Sequence, residues 1–189
     1  PSATAPFGMV QLGPDTRKEG WDGCGGYHFS DSSIYGFSHT HLSGTGVSDY
    51  ADILIRPMIN KEDLREKIAF RKESEVSKAG YYSNRTKDDI LCEMTASERV
   101  GIHRYTFPKV KDKIWFYLDL SYRDKTLFEE VKLNEFNDDI TSKGLDIHRI
   151  SSSWATEQHI YARLQCMDFN WELDKIETLE NNKYIIEFK

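Results

Sequence analysis

The chain has 189 residues, with 25 Lys and Arg against 31 Asp and Glu and a formal charge of −6. That balance, without any basic run, suits neither a phosphate backbone nor an anionic membrane surface, so nucleic acid and membrane partners are set aside. Hydrophobic residues make up 39% and aromatics 13%, enough for one sizeable core in which rings carry much of the burial. Cys24, Cys92 and Cys166 are far apart and odd in number, which is not a disulfide framework, and no paired cysteines suggest zinc. Three free thiols are expected. No apolar run is long enough for a membrane span. The chain opens at "PSATAPFGM" without an initiator Met, so we expect it to be trimmed, and a missing signal peptide says nothing about secretion.

In chain order, the first feature is "GWDGCGGYHFSDSSIYGFSHTHLSGTGVSDY", residues 20–50, polar and aromatic and studded with glycine. It supplies Trp21, Tyr27, Phe29, Tyr35 and Phe37 alongside Asp22, Cys24, His28, Asp31, His39, Thr40, His41, Ser43 and Thr45. Sugars present an apolar C–H face and a rim of hydroxyls, and so favour an aromatic platform beside short polar groups. Glycines such as Gly44 and Gly46 permit tight turns and close backbone approach. A structural loop whose rings plug the end of a sandwich fits the same composition. His39 and His41 would share one side of an extended strand, a spacing used by metal sites, but no third ligand stands nearby. Ser43 as a nucleophile lacks the GxSxG setting. Asp49 and Asp52 are expected to cap turns or to pair with Arg17 and Arg56.

Residues 60–80, "NKEDLREKIAFRKESEVSKAG", are the one stretch with helical composition, opening on Asn60 as an N-cap candidate. Their apolar positions are sparse, so the expectation is one short helix or an ordered loop packed on a sheet. Beyond them period-2 patterns dominate. "DDILCEMTAS" and "VGIHRYTF" are followed by "KIWFYLDLSY", where Ile114, Phe116, Leu118 and Leu120 share one face. "LNEFNDDITSKG" approaches a hairpin, with its turn near Asn137–Asp139 or at Lys143-Gly144. "HIYARLQCMDF" sets Ile160, Ala162, Leu164 and Cys166 on one face, and "NKYIIEF" closes the chain. Turn chemistry at "SERVG", "FPKVKDK" and "LENN" separates these strands. His103, His148 and His159 read as structural or surface histidines. The pattern predicts an all-β fold, an antiparallel β-sandwich with long loops and at most one short helix, forming a single domain over residues 1–189.

"PFGMVQLGPDTR" and the whole stretch from "GWDGCGG" to "GFSHTHLSGTGVSDYADILIRP" resemble the N-terminal region of the family-92 glycoside hydrolases. The likeness continues through "GYYSNRT", "TASERVGIHRYTFP" and "SSSWATEQHIYARLQ". Ala51 and Arg56 stand where that family commonly has Gly and an apolar residue, and Ala79 where Pro is usual. The resemblance implies a super-β-sandwich joined to a C-terminal (α/α)-barrel catalytic domain in a calcium-dependent, inverting exo-α-mannosidase, expected to be of α-1,2 type. The catalytic acid and base and most of the calcium site would lie in the second domain, so this chain would hold no catalytic or metal residue and would be inactive alone. Its substrate-binding share would be Trp21, Asp22, Cys24, Tyr27, His28, His39, His41 and the stretch Ser43, Gly44, Thr45 and Gly46. Trp21 would form an aromatic wall on the leaving-group side. Mannose-containing glycans would be the ligand, the compartment periplasmic or extracellular. A missing strand before the chain's start would expose a sheet edge and invite self-association. The alternative is a stand-alone, lectin-like sandwich.

Overall fold

The structure is a computed structural model describing every residue except Ser43, Thr45, Ser48, Val110, Lys111, residues 137–142 and Phe169. The strands, in order, are β1 (Ala3–Thr4), β2 (Gln11–Asp15), β3 (Ser33–Ile34), β4 (Gly36–Ser38), β5 (Leu54–Met58), β6 (Ile68–Lys78), β7 (Tyr81–Thr86) and β8 (Leu91–Ala96). They continue as β9 (Gly101–Thr106), β10 (Ile114–Asp119), β11 (Lys125–Glu135), β12 (Lys143–Ser152), β13 (Gln158–Gln165), β14 (Leu173–Thr178) and β15 (Lys183–Phe188). All named pairings are antiparallel. A seven-stranded sheet runs β1-β2-β4-β5-β10-β15-β14, beside a five-stranded sheet β3-β6-β7-β8-β9 and a three-stranded sheet β11-β12-β13.

Two cores explain how the sheets stack. Leu12 and Phe37 of the large sheet pack with Ile34, Phe70, Tyr82, Cys92 and Met94 of the five-stranded sheet. Ile55, Ile114, Leu118 and Ile186 pack with Leu145 and Ile147 of the three-stranded sheet, which adds Val131, Ile160 and Ala162. The large sheet is therefore one layer, and the two smaller sheets cover successive halves of it. The period-2 faces read for Ile114, Phe116, Leu118 and Leu120 and for Ile160, Ala162, Leu164 and Cys166 point as expected, because these side chains enter the second core.

Residues 60–80 correct the helical expectation. Asn60 does cap a turn, its Oδ1 accepting from the Glu62 amide at 3.1 Å, but the chain then runs as an ordered loop into β6. Ile68 and Phe70, two apart, enter the core while β6 pairs with β7, so strand periodicity outweighs the helix-favouring Glu and Lys. Among the described residues the one helical element is a 3-10 turn, Trp21–Gly23, inside the glycine-rich segment. The hairpin expected at "LNEFNDDITSKG" is present as β11 and β12, and its turn at 137–139 lies outside the described residues. Lys143 and Gly144, the other suggested turn, are instead the first residues of β12. All three cysteines are free, Cys92 buried and the other two half-buried.

Arg56 sits on β5 with 1% of its surface exposed, yet the strand is intact. Its guanidinium lies 4.7 Å from the centre of the Tyr117 ring and donates to the Glu66 carbonyl at 3.0 Å. The loop before β6 thus roofs the outer face of the large sheet, and burial holds the Arg56 pKa below its ordinary value. Asp49 and Asp52 pair with neither Arg17 nor Arg56, as described next.

Candidate functional site

The segment from β2 to β5 folds around buried polar contacts. Arg17 organises the first loop: its Nε and Nη2 donate to Asp31 at 2.8 and 3.0 Å, and its Nη1 reaches Asp22 at 2.7 Å. The bidentate pairing holds the Asp31 carboxyl below the usual carboxylate range. From below, Arg123 Nη2 donates to the Arg17 carbonyl at 2.6 Å and approaches the Gly23 carbonyl at 3.4 Å. These contacts fix the 3-10 turn and present Trp21, 77% exposed.

The far side of the segment returns against that turn. A Cβ at Gly46 would lie 2.1 Å from the Trp21 ring, and its φ of +73° is one that glycine takes without strain. Gly26, at φ +82°, is as tightly placed: a Cβ there would meet Asp15 Oδ1 at 2.4 Å and His41 Nε2 at 2.9 Å. Gly44 has open space around it.

His39 and His41 turn to different partners. His41 Nδ1 donates to the Gln11 carbonyl at 2.8 Å, and its Nε2 lies 3.1 Å from both Ser38 Oγ and Asp15 Oδ1. His39 Nδ1 donates to the Ile53 carbonyl at 2.7 Å, which leaves its Nε2 to accept from His103 Nε2 at 2.9 Å. His103 Nδ1 then accepts from the Tyr105 hydroxyl at 2.8 Å. With both rings neutral, each donor in this row meets one acceptor. Burial agrees, lowering the pKa of His39 and, more strongly, of His103.

The remaining carboxylates form a separate knot. Asp52 pairs with Arg149 and accepts from Thr40 Oγ1 and Gln158 Nε2, both at 2.6 Å. Arg149 also donates to the carbonyls of Leu120 and Asp124 at 2.6 and 3.1 Å. The Tyr50 amide meets both Asp124 oxygens at 3.1 and 3.0 Å, and the Trp154 amide donates to Asp49 Oδ2 at 3.0 Å. Asp49 and Asp124 share a hydrogen bond, which needs a proton. Burial first, then Asp49, pushes the Asp124 pKa up to about 7.

The expected site residues thus divide. Trp21, Asp22 and Gly44 are at the surface, and Gly46, His28 and Cys24 are half-buried. Tyr27 is half-buried with its hydroxyl bonded to Glu75 at 2.8 Å. His41 is buried and His39 is engaged with His103, so both stand beneath the surface groups. Ser43 and Thr45 lie outside the described residues. Phe29, also 77% exposed, lies beside Lys72.

Comparison with known proteins places the fold in a family. A family described as the glycosyl hydrolase family 92 N-terminal domain matches residues 1–187. The chain belongs to that family. Over 118 residues this family-92 domain is 30% identical to a protein of Arthroderma benhamiae named as an uncharacterized secreted glycosidase, a match covering 57% of this chain and 15% of the relative. A GH92 α-mannosidase from Bacteroides thetaiotaomicron superposes on the whole chain with a TM-score of 0.72 at 21% identity, and the chain covers 28% of it. A GH92 inverting mannosidase from the same organism superposes on 99% of the chain with a TM-score of 0.57 at 17% identity. At these identities the superpositions speak for the fold. The chain spans less than a third of the length of each of these proteins.

Calcium, implied by the family resemblance, finds no ready cage among the described residues of this family-92 domain. Among the described residues no three His, Cys, Asp or Glu side chains come together for a metal. Asp49, Asp52 and Asp124 are committed to Arg149 and to backbone amides. A calcium ion needs six to eight oxygens, and these groups do not fit it. Sequence reasoning missed Arg123, Arg149 and Asp124, each far along the chain from the segment it holds. Trp154 was visible within "SSSWATEQ", but nothing in that string marked it as exposed.

Proposed function

We propose that this chain is the N-terminal domain of a longer exo-α-mannosidase and contributes part of the cleft that binds mannose-containing glycans. Its own share is recognition, and Trp21 forms the wall for the sugar on the leaving-group side. The observation that carries this reading is the exposed Trp21 indole, seated against Gly46 and flanked by Asp22, in a family-92 domain. An indole face offers sugar C–H groups an apolar surface, and neighbouring polar atoms meet the hydroxyls. Asp22 is already tied to Arg17, and His39 and His41 are engaged beneath, so we assign the chain no catalytic residue.

Single-step inverting hydrolysis takes a carboxylic acid and a carboxylate base about 6.5–9.5 Å apart. We place both, with the calcium ligands, in an (α/α)-barrel domain of the same polypeptide. The isolated chain is then inactive, and the complete enzyme is periplasmic or secreted with an α-1,2 preference. A stand-alone carbohydrate-binding module is the second reading, favoured by Asp22 beside Trp21 being tied to Arg17.

The test is the intact mass of the native product, followed by assay of that product on α-1,2-linked mannobiose with and without chelator. A mass several times 22 kDa with chelator-sensitive mannose release, the new anomer inverted by NMR, supports the enzyme reading. A native mass near 22 kDa with sugar binding but no release would overturn it for the lectin-like one.

A further inference from the structure

Two tryptophans stand exposed beside the same stretch of chain. Trp21 is 77% exposed and lies against Gly46, and Trp154, 65% exposed, hangs by its amide from Asp49. Gly46 and Asp49 are three residues apart, so their α-carbons are at most about 11 Å from one another. The two tryptophans thus flank one short stretch of chain, which a glycan of several rings, rather than one sugar, would span.

Trp154 is also held where it is. It lies between β12 and β13, in a turn closed by the Ser153 amide donating to the Ala155 carbonyl at 3.0 Å. Arg149 on β12 pairs with Asp52, and Gln158 on β13 donates to the same carboxylate, so both ends of the turn are fastened to the strand entering β5. The Asp49 contact fastens its middle. A buried salt bridge and part-buried hydrogen bonds thus set the position of a side chain that covers no core. A Trp held in place in this way offers a large, rigid aromatic face on which an apolar ligand surface can stack.

We propose that Trp154 is a second sugar-stacking residue of the cleft, taking a ring of an extended mannoside beyond the one that meets Trp21. The inference rests on the carbohydrate-binding reading above. Trp21 serves every substrate with a leaving-group sugar, whereas Trp154 serves only longer chains and sets a preference for oligomannosides over disaccharides. The polar knot of Asp49, Asp52 and Arg149 acts as its positioning device.

The experiment uses the full-length natural product, with Trp154→Ala, Trp154→Phe and Trp21→Ala, titrated with mannobiose and a linear mannotetraose by tryptophan fluorescence and calorimetry. Trp154→Ala should weaken mannotetraose binding about tenfold, the loss of one aromatic contact, with mannobiose and the melting temperature unchanged. Trp154→Phe should restore most of the affinity. Trp21→Ala should weaken both ligands. Equal affinities for mannotetraose in wild type and Trp154→Ala would overturn the Trp154 assignment while leaving Trp21 in place. Acrylamide quenching supplies a second criterion: a Trp154 component shielded in the unliganded protein would mean that other polypeptide covers it, also overturning the assignment. If neither tryptophan matters for either ligand, the carbohydrate reading fails with it.

Discussion

The two ends of the segment between β4 and β5 solve the same problem with opposite chemistry. Near β4, His39, His103 and Tyr105 form a neutral row in which each donor has an acceptor. Toward β5, Asp49, Asp52, Asp124 and Arg149 carry charge, and one carboxyl proton is held between two buried acids. The neutral row ties strands within one half of the sandwich and costs little desolvation. The charged knot ties β5 to β12 and β13 across roughly a hundred positions of sequence, and it does so over a backbone with positive φ at Tyr50, Ala51 and Ile53. Such a backbone persists only where its surroundings over-determine it. The knot is a clamp on strain, and the histidine row is a filler.

If so, breaking the clamp should do the greatest damage. Arg149→Met leaves the Asp52 carboxylate buried and unpaired, and it should cost about 3–5 kcal/mol in urea unfolding. Adding Asp52→Asn should recover part of that loss. A loss below about 1 kcal/mol for the single variant would mean that the knot is not the clamp. Next in size is Gly26→Ala, which forces an L residue to φ +82° and drives a methyl toward Asp15 and His41. It should cost about 1–3 kcal/mol by the same measurement.

Ala51 sharpens the comparison in the stabilising direction. It adopts φ +56° where the family commonly has glycine, so Ala51→Gly relieves strain that the knot now holds down. Stability should rise by about 1 kcal/mol, offset in part by the greater freedom of glycine in the unfolded chain. An unchanged or lower urea midpoint would contradict strain at this position. On the neutral side, Tyr105→Phe removes one hydrogen bond from the row and should cost about 1 kcal/mol or less.

The subtlest distinction is in pH, where the two regions have opposite signs. Burial lowers the pKa of His39 and His103, so the unfolded chain binds protons that the folded chain does not. Their contribution is intact above about pH 6.5 and is lost as pH falls below that value toward their lower folded pKa values. The Asp124 pKa, raised to about 7, works in reverse: its contribution is complete below about pH 3.9 and is lost as pH rises toward 7. Urea midpoints from about pH 4 to 8 should show Asp124→Asn flattening the rise-with-pH loss and His103→Asn shrinking the acid loss. A profile identical in all three proteins would remove the basis for calling one region neutral and the other charged.

Much of the fold was legible along the chain. The alternation in residues 113–122 and 159–169 and the turn signals between strands point to antiparallel β structure, because a pleated strand imposes its period on side chains within a few residues. The glycines at 26 and 46 and the exposed aromatic at Trp21 likewise belong to local chemistry, and the string "GFSHTHLSGTG" carries the family resemblance. Residues 60–80 misled because Glu and Lys suit an exposed strand face as well as a helix, and only the partner β7 decides between them.

The sequence by itself determined the fold class and the segment that bears the candidate site. Tertiary structure alone decided which of that segment's polar residues face solvent. His39 and His41 look alike in "HTH", but Asp15 and Gln11 claim one while His103 and Ile53 claim the other. Asp52 meets Arg149 and Trp154 hangs from Asp49 only after β12 and β13 close over the large sheet. Period and turn are short-range properties, fixed by sterics between neighbouring residues. The pairing of a buried charge depends on which distant strand lies across from it, and no local pattern records that choice.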